Sequence, residues 1–316
     1  MAKLFRASLL AWAFLAALPA LAHAESGIVL KVGDQKGSTQ AVMAAAGVLK
    51  DLPYRIEWDV FAAAQPLLEA LNAGAIDTGG VGDGPFLFAF AAGAPIKVVS
   101  VYHGDVHDSV AIVALPSSPI RRAADLKGHI VGTTRGSIGH YLLLKALAQA
   151  RLTPQDVTLV FLDPGSAKAA LESGSIEAWA TWDPYVALAV TQDKARVVAN
   201  GNGLLPGYGF QAASQNAINT KRAALADFLK RLAKARQWIV AHKGEFALAW
   251  SKETGLPLAV AQAVIARQNY VTVPIDQKVI GSLANGIAIY RAAGAISGAP
   301  DVATAFDKSF NAILVP

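Results

Sequence analysis

The chain has 316 residues, no cysteine and a formal charge of +5. Lacking thiols, it can form no disulfide, build no cysteine-ligated zinc site and use no cysteine nucleophile. Its basic residues are scattered, with no aromatic-basic motif, which argues against a nucleic-acid partner, and its length exceeds the roughly 100 to 150 residues of a typical domain, so two lobes are expected.

Residues 1–24 read as a secretory leader: Lys3 and Arg6 give a positive start, residues 9–21 are apolar, and Ala22, His23 and Ala24 offer a cleavage site. The apolar run falls short of the roughly 20 residues of a membrane helix, and no later stretch is long and apolar enough to span. Cleavage near Ala24 leaves 26 basic and 23 acidic residues, a net charge of +3 that suits a small anionic ligand. No cysteine is available for lipid attachment, so the expectation is a free periplasmic protein and not a lipoprotein.

Past the leader, residues 28–32 alternate as a strand, 39–50 have helical spacing and 54–60 are extended. A helix over 65–72, a strand over 76–81, a short helix from Pro85 and a strand over 96–101 continue the series. The pattern then restarts with strands at 130–133, 157–162 and 176–180 and helices at 138–150 and 167–172. Strands alternating with helices imply parallel sheets built of βαβ units. From Lys221 onward the pattern is mostly helical, with turn signals near Gly244, Gly255, Pro274 and Gly294.

Two short motifs recur. Val32-Gly33-Asp34-Gln35-Lys36-Gly37-Ser38 matches Val131-Gly132-Thr133-Thr134-Arg135-Gly136-Ser137, and Leu71-x-x-Gly74-x-Ile76-Asp77 matches Leu171-x-x-Gly174-x-Ile176-Glu177. Asp83 and Asp183 close the second pair. Each motif has a bland reading, as a turn with a helix N-cap or as a helix stop before a buried strand. Their repetition in the same order points to two lobes of like topology, with paired loops at the carboxyl ends of strands, where open α/β sheets bind ligands.

These stretches, together with residues 70–77, Gly82-Asp83, residues 124–128, Arg135-Gly136-Ser137-x-x-His140 and Trp179-Ala180-x-Trp182-Asp183-Pro184-Tyr185, resemble the aliphatic-sulfonate-binding proteins of ABC importers. These belong to a wider nitrate, sulfonate and taurine receptor group. The resemblance runs from about Ile28 to Val198 and thins through the last third. It implies the α/β type II periplasmic-binding-protein fold: two Rossmann-like lobes, a ligand cleft and two hinge crossings, expected near 109–115 and 208–213. Lobe one is then 27–112 plus 211–316, and lobe two 113–210. It further implies a monomer that hands its ligand to a membrane permease, with no cofactor or metal.

A sulfonate is a tetrahedral monoanion whose oxygens accept hydrogen bonds and never donate. A helix N-terminus offers unpaired N–H groups and a partial positive charge, and the loop Arg135, Gly136, Ser137, Ile138 and His140 fits that role. Ser137 reads equally well as a plain N-cap. Gln35, Lys36, Gly37 and Ser38 are expected to face the same cavity, with Lys36 and Arg135 as contacts or as steering charges at the rim. Gly82, Asp83, Trp182, Asp183 and Tyr185 close the strands around it. Trp182 either covers the ligand's apolar part or fills the core; Asp83 and Asp183 fix loop amides as acceptors, pair with Lys36 or Arg135, or receive a ligand's amino group. The chain departs from the family pattern at Ile138 and Gly139, where serines are common, and at residues 103–108.

Two readings from other classes stay open. An enzyme is disfavoured because no nucleophile elbow, phosphate loop, dinucleotide fingerprint or zinc-protease motif is present. A metal receptor would rest on His103, Asp105, His107 and Asp108, which read more simply as a solvated turn. Within the binding class the candidates are an alkanesulfonate, taurine, an aromatic sulfonate or sulfate ester, and nitrate.

Overall fold

A computed structural model of the chain describes residues 27–36, 38–104, 106–298 and 300–314. The expected leader and Gly37 lie outside the described residues. The first series is β1 (Val29–Gln35), α1 (Ser38–Ala45), β2 (Arg55–Phe61), α2 (Ala64–Asn72), β3 (Thr78–Gly82), α3 (Asp83–Ala91) and β4 (Ile96–His103). The second is β5 (Val110–Ala114), β6 (Ile130–Thr133), α4 (Ile138–Gln149), β7 (Thr158–Phe161), α5 (Pro164–Glu172), β8 (Ala178–Trp182), α6 (Tyr185–Thr191) and β9 (Arg196–Asn200). The chain then returns through β10 (Tyr208–Ser214), α7 (Gln215–Thr220), α8 (Arg222–Ala241), α9 (Lys243–Thr254), α10 (Leu258–Arg267), β11 (Val271–Val273), α11 (Gln277–Ala292) and α12 (Asn311–Leu314).

These strands form two sheets of matching order. Sheet one is β11-β4-β10-β3-β1-β2 and sheet two is β7-β6-β8-β5-β9. From β2 and from β7 inward, the first three strands are parallel, as in Val32 opposite Trp58 and Gly132 opposite Val160. The fourth, β10 or β5, runs antiparallel to both neighbours. Each fourth strand is the one on which the chain arrives from the other sheet. Residues 109–115 and 208–213, expected as hinge strands, are thus β5 and β10, buried along their lengths and bonded into a single sheet each. The chain changes sheet just ahead of each, between β4 and β5 and between β9 and β10.

The repeated motif is the lock of each sheet. Gly74 and Gly174 take positive φ of 71° and 77° just past α2 and α5, which lets each helix stop shortly before a buried isoleucine. Ile76 and Ile176 then drop beneath the sheet, where a Cβ on Gly33 or Gly132 would come within 2.5 or 2.4 Å of their side chains. The acidic residue that follows binds strand backbone: Lys31 N donates to Asp77 Oδ2 at 2.7 Å and Ile130 N to Glu177 Oε2 at 2.9 Å. The third strands therefore begin at Thr78 and Ala178, two residues later than periodicity places them. Here the bland reading of the motif holds: Gly74, Ile76, Asp77 and their counterparts build the scaffold and do not line the cavity between the two sheets.

Apolar faces of the returning helices complete lobe one. α1, α8, α9 and α10 pack on one face of sheet one around Leu30, Val32 and Phe228, and α2, α3 and α11 on the other around Val81, Phe86 and Phe210. Tyr141 and Leu144 of α4 join the second cluster, so the two halves touch along α3, α4 and α11. Among the described residues no helix is long and apolar enough to cross a membrane.

Candidate functional site

A cavity of about 220 Å³ opens between the carboxyl ends of the two sheets. Ser137, Ile138, Trp182 and Asp183 reach it from the second half; Gln35, Lys36, Ser38, Gly82 and Asp83 reach it from the first.

The second half contributes the start of α4. Ser137 is buried and caps the helix, its Oγ accepting from His140 N at 3.0 Å. A hydroxyl that has accepted still holds a proton to donate, so cap and ligand donor are compatible roles. The first-turn N–H groups of Ile138 and Gly139 have no acceptor within the helix. Tyr290 of α11 donates to the Ser137 carbonyl at 3.3 Å, tying this turn to the opposite half.

Three residues expected at the ligand stand behind that turn. Gly136, at φ +68°, presses against Phe88 and donates its N–H to His140 Nδ1 at 3.1 Å. Burial and the nearby Arg135 push the His140 imidazole down to about 4, so at neutral pH it is the uncharged acceptor this bond requires. Arg135 lies 3.8 Å over the Phe161 ring, which draws the guanidinium away from the cavity wall. Tyr185 is also beside the cavity: it meets Trp182 edge-on at 5.7 Å and donates across the cleft to the Ala62 carbonyl at 3.2 Å.

The first half does not mirror this arrangement. Asp34, buried, accepts from Thr39 N at 3.0 Å and Gln40 N at 2.8 Å, so α1 begins on a carboxyl group of the chain itself. Burial raises its pKa against the pull of these N–H groups. The repeat placed Thr133 opposite Asp34, and that difference was the available sign that, of the two paired helices, α1 and not α4 begins on a carboxyl group of the chain itself. Gln35 spends an amide N–H on the Gly80 carbonyl at 2.7 Å, and the Ser38 hydroxyl donates to the Gln35 carbonyl at 3.2 Å. Lys36 is fixed at φ +54° by Trp250, whose indole donates to its carbonyl at 3.2 Å, and its ammonium lies 5.5 Å from the Tyr185 ring centre.

Asp183 pairs with neither Lys36 nor Arg135. Its partner is Arg267 of α10, with Nη1 at 3.1 Å from Oδ2, and the same guanidinium donates to the Asp108 carbonyl. The bridge spans the cleft, and burial still raises Asp183 to about 6. Arg267 escaped the sequence reading because it sits outside both repeats, in the helical third. Gln65, Tyr102, Trp250 and Tyr270 also line the cavity and carry no local motif either. The His103 ring lies tilted 5.2 Å from that of Tyr208; Asp105 of the metal reading lies outside the described residues, and among those described no group of three His, Cys, Asp or Glu is placed to hold a metal.

Burial pushes Asp83 up to about 7, against the Gly84 N–H that donates to it at 2.7 Å. Because the folded value is raised, the contribution of this group to stability is complete below about pH 4 and is lost as pH rises through about 7. Asp83→Asn keeps the acceptor and stays neutral. Its unfolding free energy is expected to match wild type at pH 4 and to exceed it at pH 8, by up to roughly 4 kcal/mol for a shift of about three units. Denaturant titration at the two pH values checks this; an equal effect at both would contradict it.

Two sheets of matched order, exchanging their fourth strands around a cleft at the strand carboxyl ends, define the type II periplasmic-binding-protein fold of solute receptors. Comparison with known proteins agrees. The NMT1/THI5-like family model matches residues 62–245. A protein of Escherichia coli K12, named as an aliphatic sulfonates-binding protein, is 36% identical over 264 residues, 82% of each chain. The alkanesulfonate-binding protein of Xanthomonas axonopodis pv. citri, solved bound to MOPS, superposes with a TM-score of 0.82 at 31% identity, covering 88% of this chain and 98% of that one. The periplasmic aliphatic sulphonate-binding protein of Escherichia coli gives 0.78 at 32% identity, covering 87% and 90%. The chain belongs to the NMT1/THI5-like family, alongside the aliphatic-sulfonate-binding proteins.

Proposed function

We propose that this chain is the solute-binding component of an ABC importer and that it captures a small organic sulfonate. The observation that carries this is the N-terminus of α4 facing a cavity with, among the described residues that line it, one cation in surplus. Arg267 is matched by Asp183 and Asp83 is drawn toward its neutral form, so the Lys36 ammonium supplies the uncompensated charge. A monoanion with several acceptor oxygens complements that arrangement. Around the head group, Trp182, Tyr102, Trp250 and Tyr270 give apolar surface to an organic tail, as ligand pockets commonly do.

In this reading Ser137, Ile138 and Lys36 address the sulfonate, while His140 and Gly136 shape the turn. The lobes divide as the sheets do, with crossings ahead of β5 and β10. Binding and release proceed without chemistry, by a monomer in the periplasm that docks on a membrane permease. The test is a thermal-shift panel of alkanesulfonates, taurine, aromatic sulfonates, sulfate esters, carboxylates and nitrate on the purified protein. A true ligand at about 100 times its Kd should stabilise by about 2.7 kcal/mol. A response to nitrate or carboxylates with none to sulfonates, or turnover of a bound sulfonate, would overturn the proposal.

A further inference from the structure

The first turn of α2 carries Gln65, which lines the cavity together with Gly82 and Pro85. Its amide nitrogen and amide oxygen are both shielded from solvent, and neither has a hydrogen-bond partner among the described residues. Leaving such a group unpaired costs about 1–3 kcal/mol, and buried polar atoms in native proteins are nearly always partnered. The polar neighbours on the cavity wall are engaged elsewhere: Gln35 with Gly80, Ser38 with the Gln35 carbonyl, and Arg267 with Asp183 and Asp108. The Gln65 stem is only half-buried, so rotation about its outer χ bonds turns the amide toward a ligand in the cleft.

We propose that Gln65 is a specificity-determining residue that selects sulfonates bearing a hydrogen-bond donor, a hydroxyl or an ammonium group, on the carbon chain. This rests on the sulfonate reading of the cleft. A carboxamide offers both a donor and an acceptor. Sulfonate oxygens only accept, so they can satisfy Nε2 and never Oε1. The oxygen needs an O–H or N–H, and among the described residues none bonds to it. A plain alkyl tail leaves that oxygen buried and unpaired, the kind of mismatch by which binding sites discriminate strongly between analogues. Asp183 is already bonded by Arg267 Nη1 and by Ala187 N, whereas neither amide atom of Gln65 has a partner among the described residues.

The experiment is titration calorimetry with ethanesulfonate, 2-hydroxyethanesulfonate and 2-aminoethanesulfonate on wild type and on Gln65→Leu. Leucine has nearly the volume of glutamine and a good helix propensity, and an unfolding curve without ligand confirms that the variant folds. If it does not fold, Gln65→Met provides the same comparison. Wild type is expected to bind at least one of the two substituted compounds about tenfold or more tighter than ethanesulfonate. Gln65→Leu is expected to lose that preference, with the substituted compounds binding it within about threefold of ethanesulfonate. Equal affinities in wild type, or a preference that survives the substitution, overturns the role of Gln65. If none of the three compounds binds wild type, the sulfonate reading falls and this proposal falls with it.

Discussion

Arg267→Ala is expected to weaken ligand binding by about 30-fold or more. Arg267 Nη1 lies 3.1 Å from the Asp183 carboxylate and joins α10 to the end of β8 across the mouth of the cleft. Truncating one partner of a buried, hydrogen-bonded charge pair typically costs about 2 to 5 kcal/mol, much of it from the stranded partner, and with the Arg267 side chain 25% exposed the lower end applies. Here the stranded group is Asp183, which burial already holds at about 6. Without the guanidinium, its charge becomes a penalty on the arrangement that encloses the ligand and on any anion approaching it. Calorimetric titration with whichever sulfonate scores in the thermal panel reads this directly. Arg267→Ala/Asp183→Asn should recover part of the loss, because no uncompensated carboxylate remains. An affinity for Arg267→Ala within about threefold of wild type would show that the bridge is incidental to binding.

Gly139→Ala should be nearly as damaging, through a different route. A Cβ at residue 139 would lie 2.5 Å from the Ala180 carbonyl oxygen and 3.0 Å from Thr181 N, both backbone atoms of β8. Sheet backbone cannot rotate out of the way as a side chain can, so α4 must lift from the sheet. Overpacking of this kind costs about 1 to 3 kcal/mol, sometimes more. The displaced turn also carries Ser137 and the open N–H groups away from the cavity. Loss of stability by denaturant titration and loss of sulfonate binding are therefore expected together. Gly281→Ala, in α11 with nothing within 4 Å of its Cβ position, serves as the contrasting glycine and should be neutral or slightly stabilising. A Gly139→Ala protein as stable as that control would disprove the close packing.

The pairing of motifs across the two halves was legible because it is local in each copy. Gly33 and Gly132, Gly74 and Gly174, and Ile76 and Ile176 act within one βαβ unit, where spacing along the chain equals spacing in the fold. The same locality made the α4 turn legible as the anion-facing element. What repetition overstated was the equivalence of the two loops. Asp34 fills the N-terminus of α1, while Thr133, its counterpart, donates its hydroxyl to the Ala180 carbonyl at 2.9 Å and offers α4 no carboxyl group.

By itself, then, the amino-acid order settled the two-lobed α/β architecture, the run of strands and helices, and the strand ends at which a ligand could sit. These follow from hydrophobic period, glycine punctuation and capping, which involve residues close in the chain. Only tertiary structure decided that Arg267 answers Asp183, that Gln65 stands unpaired in the cavity wall, and that His140 and Arg135 turn away from it. Such pairings join side chains from separate elements, and nothing in the intervening sequence records them. They depend on how α2, α4 and α10 come to lie around the cleft once the two sheets have exchanged their fourth strands.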